Sequence, residues 1–393
     1  MDAVLTEHGP ALREELESLK AHSLHRAPES VSSRTHARIR LGKKALLDFS
    51  SNNYLGLASH PFVVREAARA LHVWGAGSGA SRLISGNLEP HLELERKIAR
   101  FKKEAAALIF SSGYLANLGT IAALLNEKDL VIEDRLNHAS LIDAARLSKA
   151  KFWVYPHKDA AALDRLLERA GGFRKKLVVT DAYFSMDGDV APLDRILEVC
   201  RKRNAMLMID EAHSTGVFGK KGRGLSEHFE LEGKIDVVMG TLSKSLGSVG
   251  GFVAGSEELR DYLVNRCRTF IYTTAPSPAA SAAALASLSL IEKDGSFRQK
   301  LWRNIAKVRE GLEAAGFDLM GSEGPVIPVL VGETRKVLRF QNALMREGIF
   351  APAIRPPTVP AKTDRIRLSV LASHSNPDLE HLLRVFKKLR RLL

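Results

Sequence analysis

A single lysine, Lys244, lies among glycine and hydroxyl residues in the stretch GTLSKSLGSVGG, residues 240–251. It follows the apolar run IDVVM, which is typical of a buried strand. A lysine in surroundings of low polarity can lose its proton and form a Schiff base with an aldehyde. A surface lysine in a turn would have the same local sequence, so this stretch indicates chemistry only together with other residues.

Polar residues and glycine also follow other apolar runs, at the positions where strands are predicted to end. The run AALIF leads into Gly113, and LVIED leads into His138. The run KLVVT leads into Ser185, and AMLMI leads into Asp210 and His213. The carboxyl ends of parallel strands meet at one edge of a sheet, where ligands bind in open α/β folds. We therefore expect these residues to converge with Lys244 on one rim.

The converging residue types suit one cofactor, pyridoxal 5′-phosphate (PLP). A lysine can hold its aldehyde, and an aspartate such as Asp210 can keep its ring nitrogen protonated. The segment SSGY precedes a helical pattern, so backbone N–H groups near Gly113 could bind its phosphate. Individually, Asp210 could instead cap a helix, His213 could be packed in a loop, and SSGY could be a plain turn.

Other nucleotide-binding and metal-binding motifs are absent. The stretch GAGSGAS, residues 75–81, has no preceding strand and lacks the GxGxxG spacing. A P-loop around Lys244 would need glycines at 238 and 243, which are valine and serine. Cys200 and Cys267 have neither metal nor redox spacing, so no metal is predicted.

The charge balance favours an anionic partner. The chain has 58 Lys and Arg against 45 Asp and Glu, a net charge of +13. The basic blocks at 201–203 and 387–391 are not interleaved with aromatic residues, so we predict a phosphate-bearing small molecule or an acidic carrier protein rather than nucleic acid.

No membrane segment is predicted. The N-terminal residues are polar and have no apolar signal region, which predicts a cytoplasmic protein. Residues 269–291 are uncharged but consist mainly of Ala, Ser and Thr with two prolines, which favours a buried loop and a packed helix over a membrane span.

The order of the apolar runs predicts an α/β fold. Seven strand-like runs alternate with amphipathic helical patterns, at 106–110, 130–134, 151–155, 176–180, 205–210, 236–240 and 251–255. This alternation is typical of a mostly parallel sheet covered on both faces. We predict an N-terminal helical arm (1–50), a large domain with a seven-stranded sheet (51–285) and a smaller α+β domain (286–393).

From Arg26 to about Ser373, the chain resembles the α-oxoamine synthases, a group within the fold-type I PLP-dependent enzymes. The resemblance is carried by FSSNNYLGLASHP, GAGSGASRLISG, NHASLIDAAR, TDAYFSMDGDVAPL, IDEAHSTGVFG, GTLSKSLGSVGG and YTTAPSPA. It implies the PLP-dependent transferase fold of type I, with PLP bound to Lys244 as a Schiff base. It also implies a homodimer with active sites shared between the subunits.

The same resemblance implies a role for each matching residue around the cofactor. Lys244 moves the Cα proton of the substrate, Asp210 pairs with the pyridine nitrogen, and His138 stacks on the ring and contacts the substrate. Ser185 and His213 contact the side of the phenolic oxygen. The phosphate is held by Gly113, Tyr114 and Thr241, together with Thr273 or Thr274 of the partner subunit.

The resemblance further implies the substrates. Asn52 and Arg355 match residues that bind an amino acid carboxylate, and Arg26 and Thr358 match residues that contact an acyl substrate. The segment IRPPTVPAKTDRIRLS, residues 354–369, is most similar to members that join L-alanine to a pimeloyl thioester of coenzyme A or acyl carrier protein, with loss of CO2.

Two alternatives stay open. Sister enzymes of the group use glycine with acetyl-CoA, glycine with succinyl-CoA, or serine with a palmitoyl thioester. A binding protein that keeps the fold without catalysis is disfavoured, because Lys244, Asp210 and His138 are all present.

Overall fold

The computed structural model describes residues 9–22 and 24–392. In chain order, its strands are β1 (Val31–Thr35), β2 (Arg38–Leu41), β3 (Lys44–Asp48), β4 (Ala106–Phe110), β5 (Leu130–Asp134), β6 (Lys151–Tyr155), β7 (Lys176–Asp181), β8 (Met206–Asp210), β9 (Val237–Thr241), β10 (Gly251–Gly255), β11 (Val326–Leu330), β12 (Ile349–Phe350), β13 (Ala353–Ile354) and β14 (Arg365–Ser369).

The helices lie between and beside these strands. They are α1 (Gly9–Ala21), α2 (Pro61–Trp74), α3 (Glu89–Lys102), α4 (Gly113–Leu124), α5 (Ala139–Ser148), α6 (Ala160–Glu168), α7 (Leu193–Lys202), α8 (Leu225–His228), α9 (Glu257–Arg266), α10 (Arg268–Ile271), α11 (Pro278–Lys293), α12 (Ser296–Ala314), α13 (Thr334–Arg346) and α14 (Asn376–Leu389), with short 3-10 turns at Leu57–Ser59 and Arg390–Leu392.

A seven-stranded sheet forms the centre of the fold, in the order β4-β10-β9-β8-β7-β5-β6. Strand β10 pairs antiparallel with both β4 and β9, and the pairings among β9, β8, β7, β5 and β6 are parallel. The predicted α/β fold with a mostly parallel seven-stranded sheet is therefore confirmed. The predicted strand positions agree with the observed ones to within one residue.

Both faces of this sheet are covered by helices, which explains the nearly continuous apolar runs of its central strands. Alternate residues of each strand enter two different cores, as Val178 and Val179 of β7 do. Helices α3, α6 and α7 contribute to one core, and α4, α5 and α9 to the other. The sheet therefore holds the ends of its strands in fixed positions.

The segment after residue 285 contains the long helix α12 and a three-stranded sheet in the order β11-β14-β13. Strand β12 instead pairs in parallel with β3, so residues from the beginning and the end of the chain share a four-stranded sheet, β1-β2-β3-β12. The proposed domain boundaries at 50 and 285 stay a prediction.

The uncharged segment 269–291 contains a packed helix, as predicted. Most of its Ala and Ser residues lie in α11, where Ala284, Ser287 and Leu288 are buried. The part before α11 is not a buried loop throughout, because Tyr272 is exposed. Among the helices of residues 9–22 and 24–392, none has the length and apolar character needed to cross a bilayer. The cytoplasmic location stays a prediction.

Candidate active site

A cavity of about 220 Å³ lies at the carboxyl ends of β7, β8 and β9 and beside the start of α4. Seven of the predicted site residues line it: Gly113, Tyr114, His138, Asp210, His213, Thr241 and Lys244. These seven residues therefore lie together at the strand ends, as expected. Their individual roles stay predictions.

Lys244 follows the last residue of β9 by three positions and is half-buried at the cavity. The loop after β9 is fixed at its base because the Thr241 hydroxyl donates to the Gly250 carbonyl at 2.8 Å. Burial lowers the pKa of Lys244 to about 8, although the carboxyls of Asp210 and Asp181 oppose the shift. The amine is thus closer to its neutral, nucleophilic form than an exposed lysine.

Asp210 is buried at the end of β8, and two donors hold its carboxylate. The Ala212 N–H donates to Oδ1 at 2.8 Å, and Asn117 Nδ2 donates to Oδ2 at 2.8 Å. Asp181 occupies the paired position on β7 and lines the same cavity. Asp181 and Asn117 were not among the sequence-predicted residues, although the similar strand ends TD and ID could have indicated Asp181.

The start of α4 offers backbone N–H groups to the cavity. The first N–H groups of an α-helix have no intrahelical acceptor, and such a terminus favours an anion. Ser112 is the N-cap, with its hydroxyl accepting from the Leu115 N–H at 3.1 Å. A Cβ on Gly251 would lie only 2.6 Å from Gly113 Cα, so two glycines permit close packing of β10 against this terminus.

His213 is buried beside the cavity, and its Nδ1 lies 2.7 Å from the Tyr54 hydroxyl. Burial and the nearby positive charges of Lys244 and Arg367 lower the pKa of His213 well below its usual value. Burial also raises the pKa of Tyr54 to about 12. This pair therefore presents a neutral ring and a neutral phenol.

A buried arginine that the sequence analysis missed connects two of the predicted residues. Arg367 donates through Nε to the Ser185 carbonyl at 2.7 Å and through Nη2 to Asn52 Oδ1 at 3.2 Å. A charged side chain in a buried strand requires partners, so the alternating arginines of RIRLS could have indicated it. Ser185 and Asn52 themselves are half-buried and are not part of the cavity lining.

Arg26, Arg355 and Thr358 lie together, apart from the cavity lining. Arg26 Nη2 donates to Thr358 Oγ1 at 3.3 Å, and Arg355 Nη2 donates to the His25 carbonyl at 2.9 Å. The contact of Arg26 with Thr358 suits the predicted shared substrate. Within the described residues, the arginine hydrogen-bonded to Asn52 is Arg367, and a carboxylate-binding role for Arg355 stays a prediction.

Thr273 and Thr274 also lie outside the cavity of this chain. Thr274 forms an isolated bridge with Ser81, and its carbonyl accepts from the Ser111 hydroxyl at 3.3 Å. Their placement in the site of a second subunit stays a prediction.

The residues of the cavity fit PLP. A helix terminus suits a phosphate, and Asp210 is a buried carboxylate that suits a protonated pyridine nitrogen. Lys244 combines a lowered pKa with a position at the same cavity. Asn117 Oδ1 is buried without a hydrogen-bond partner, so the described residues alone leave the polar groups here incompletely satisfied.

The sequence matches the aminotransferase class I and II family over residues 44–386, and the chain belongs to this family. Within the family, it belongs to the α-oxoamine synthase group of fold-type I PLP-dependent enzymes. It is 50% identical over 369 residues to an 8-amino-7-oxononanoate synthase of Geobacter metallireducens. The aligned region covers 93% of this chain and 94% of that protein. A second such synthase, from Geobacter sulfurreducens, is 47% identical with the same coverage.

Solved structures give the same group. A serine palmitoyltransferase from S. paucimobilis with a bound PLP-myriocin aldimine superposes with a TM-score of 0.93, at 31% identity and 99% coverage of both chains. An 8-amino-7-oxononanoate synthase from Francisella tularensis superposes with a TM-score of 0.76, at 28% identity, covering 88% of this chain and 98% of that one.

Proposed function

We propose that this protein condenses L-alanine with a pimeloyl thioester to give 8-amino-7-oxononanoate, CO2 and a free thiol, in biotin biosynthesis. The observation that carries the proposal is a single cavity that joins Lys244, Asp210, His138 and the start of α4, in a chain 50% identical to an 8-amino-7-oxononanoate synthase. When bound, PLP supplies an aldehyde for the amino group and a ring that accepts electrons from the α-carbon.

Each residue of the cavity then has a chemical task. Lys244 would hold the cofactor covalently when substrate is absent, and its neutral amine would take the proton from Cα of alanine. Asp210 would keep the pyridine nitrogen protonated. The N–H groups at Gly113 and Tyr114 would bind the phosphate. The Thr241 hydroxyl would join them by turning its hydrogen away from the Gly250 carbonyl. His213, and Ser185 from outside the cavity lining, would contact the side of the phenolic oxygen, and His138 would stack on the ring.

The bond changes follow from deprotonation at Cα. The deprotonated carbon attacks the thioester carbonyl, and the thiol leaves. The original carboxylate then departs as CO2, and a proton returns to the same carbon. We assign the binding of that carboxylate to Asn52 and to Arg367, which donates a hydrogen bond to Asn52. Arg355 is retained as the alternative that the sequence resemblance implies. Arg26 and Thr358 contact the acyl chain.

Serine palmitoyltransferase activity is the second candidate, because such a structure superposes over 99% of this chain. Purified protein loaded with PLP should be given L-alanine, glycine or L-serine, each with pimeloyl-CoA or palmitoyl-CoA. We expect the visible absorbance to change most with alanine, and 8-amino-7-oxononanoate to appear only with the pimeloyl thioester. A preference for serine and palmitoyl-CoA would reject the proposal in favour of the second candidate. Comparison of pimeloyl-CoA with pimeloyl-acyl carrier protein in the same assay shows which thioester the protein prefers.

We also propose that the protein is a homodimer with shared active sites. Several large apolar side chains near the segments 75–86 and 272–274 are exposed in one subunit: Val73, Trp74, Leu83, Ile84 and Tyr272. Burial of such a group against a second copy would remove apolar area from water. The predicted role of Thr273 or Thr274 in the partner's site requires this arrangement.

Mixed dimers test the shared site. A Lys244→Ala subunit and a Thr273→Val/Thr274→Val subunit should each be inactive or weakly active alone. In a co-expressed mixed dimer, shared sites place both changes in one site and leave the other intact, so activity should reappear. Recovery should be absent if each site is built within one subunit.

A further inference from the structure

A chain of hydrogen bonds joins Asp210 to His138 through two side chains with no predicted role. Asn117 Nδ2 donates to Asp210 Oδ2 at 2.8 Å and to Ser140 Oγ at 2.9 Å. Ser140 Oγ lies 2.8 Å from His138 Nδ1. These contacts connect the start of α4 with the start of α5 across the end of β8.

The direction of each hydrogen bond is fixed by elementary chemistry. A carboxylate only accepts, so the Asn117 amide must present its NH2 group to Asp210. The other hydrogen of that NH2 group points to Ser140 Oγ, which therefore accepts. The single hydroxyl hydrogen of Ser140 is then available to donate to His138 Nδ1.

A second donor faces the same ring nitrogen. The Ser140 backbone N–H lies 3.2 Å from His138 Nδ1, in the geometry of a histidine N-cap on α5. Two donors directed at Nδ1 require that this nitrogen carries no hydrogen. The proton of the neutral imidazole is consequently on Nε2.

The surroundings also favour the neutral ring. Burial and the nearby amine of Lys244 lower the pKa of His138, although Asp210 opposes the shift. Within the described part of the chain, no hydrogen bond to His138 Nε2 is found, whereas the histidine backbone N–H is held by Asp181 Oδ2 at 2.6 Å. Nδ1 of the ring is thus held by Ser140, whereas Nε2 is available to a bound substrate.

We infer that Asn117 and Ser140 are positioning residues that hold His138 as its Nε2–H tautomer and tie the ring to the Asp210 carboxylate. His138 then offers the bound substrate a hydrogen-bond donor rather than a base. A donor can stabilise negative charge on a carbonyl oxygen during the condensation. This kinetic consequence rests on the proposed function, but the tautomer itself does not.

The tautomer can be measured directly by NMR. In protein labelled with 15N-histidine, long-range 1H–15N correlations distinguish a protonated from an unprotonated ring nitrogen, and His138→Gln identifies the signals of His138. We expect the wild-type protein, with or without PLP, to show Nε2 protonated and Nδ1 unprotonated. Protonation of Nδ1 in the wild type would overturn the inference.

Variants test the two positioning residues. Ser140→Ala removes one donor to Nδ1, and the tautomer ratio should shift towards Nδ1–H by about fivefold, the usual effect of one net hydrogen bond. Ser140→Thr keeps the hydroxyl and should restore the wild-type spectrum. Ser148→Ala is the matched control, because its hydroxyl lies at the other end of α5 and donates to the Ala145 carbonyl. If Ser140→Ala does not fold, Asn117→Ala tests the other positioning residue. It frees the Ser140 hydroxyl to rotate, so the tautomer ratio should shift in the same direction but by less than in Ser140→Ala.

Kinetics provide a second measurement. Ser140→Ala should lower kcat by at most about fivefold, the shift in the tautomer ratio, while the KM for the amino acid changes less than about twofold, because the donor acts on developing charge rather than on binding. An unchanged tautomer ratio in both Ser140→Ala and Asn117→Ala would overturn the inference. A wild-type protein that shows the Nε2–H tautomer but condenses no amino acid would overturn the proposed function and leave the positioning role intact.

Discussion

Asp181 and Asp210 occupy paired positions on the neighbouring parallel strands β7 and β8, and both line the same cavity. Burial, together with the charge of Asp210, raises the pKa of Asp181 well above its usual value. The two carboxyls therefore have different tasks although they occupy equivalent positions. Asp181 favours its protonated form, whereas Asp210 is held by two hydrogen-bond donors that suit a carboxylate.

This difference predicts unequal effects of the same substitution. The side chain in Asp181→Asn is uncharged, like the protonated acid, and its amide oxygen can still accept from the His138 N–H. We therefore expect turnover to stay within about tenfold of the wild type. Asp210→Asn removes the charge that keeps the ring nitrogen protonated and should lower kcat more than about a hundredfold. Steady-state kinetics and the absorbance of the PLP-loaded variants measure both effects. Equal losses in the two variants would contradict the division of tasks.

The pKa of Lys244 predicts how PLP capture depends on pH. The attacking amine must be neutral, and a pKa of about 8 leaves about a tenth of it neutral near pH 7, far more than at the ordinary value. The rate at which PLP-free protein forms its Schiff base should rise towards about pH 8 and then level off. Stopped-flow absorbance measures this rate. Lys244→Ala should show no Schiff-base absorbance and no turnover, and a variant that still condensed substrates would reject the assignment.

The buried ion pair of Lys102 and Glu211 supports the loop that follows Asp210. Both side chains are almost fully buried, and Lys102 Nζ also donates to Thr215 Oγ1 at 2.8 Å. Lys102→Met leaves an uncompensated buried carboxylate and should lower the free energy of unfolding by about 3–5 kcal/mol. Denaturant unfolding gives this value.

Two further variants separate the ion pair from general packing effects. Lys102→Met/Glu211→Gln removes the uncompensated charge and should recover part of the loss. Lys103→Met is the control at the neighbouring position, because the Lys103 side chain is 53% exposed and its pair with Glu232 should contribute less than about 1 kcal/mol. A double variant less stable than Lys102→Met alone would argue against the ion pair as the cause.

His157 predicts a loss of stability at alkaline pH. Its Nδ1 lies 2.9 Å from Asp134 and its Nε2 3.0 Å from Asp189, and these carboxylates raise its pKa to about 9 despite partial burial. Because the folded-state pKa is raised, the contribution is complete below about pH 6.5 and disappears as the pH rises towards 9. The free energy of unfolding of wild type should exceed that of His157→Gln by up to about 3 kcal/mol at low pH. Denaturant unfolding across this range should show the difference shrinking; a constant difference would contradict the prediction.

The central sheet and the main site residues could be predicted from the sequence for a physical reason. A strand buried on both faces requires a continuous apolar run, so AALIF and GFVAG coincide with β4 and β10. A parallel sheet brings its strand ends to one edge, which is why His138, Asp210 and Lys244 could be expected together.

The tertiary structure alone decided which polar side chains support these residues. Asn117 contacts Asp210 across 93 residues of sequence, and Arg367 contacts Asn52 across 315. Such contacts depend on how helices and strands pack. Asn117 does not stand out by local pattern, and the arginines of RIRLS indicate a buried charge at Arg367 but not its partner. Arg355 and Arg367 follow closely in the chain, yet only the packed fold decides which guanidinium reaches Asn52. The sequence alone therefore determined the sheet and the chemistry at its strand ends, because both follow from local patterns of apolar and polar residues. The tertiary structure determined the hydrogen-bond network, because its members come from distant segments.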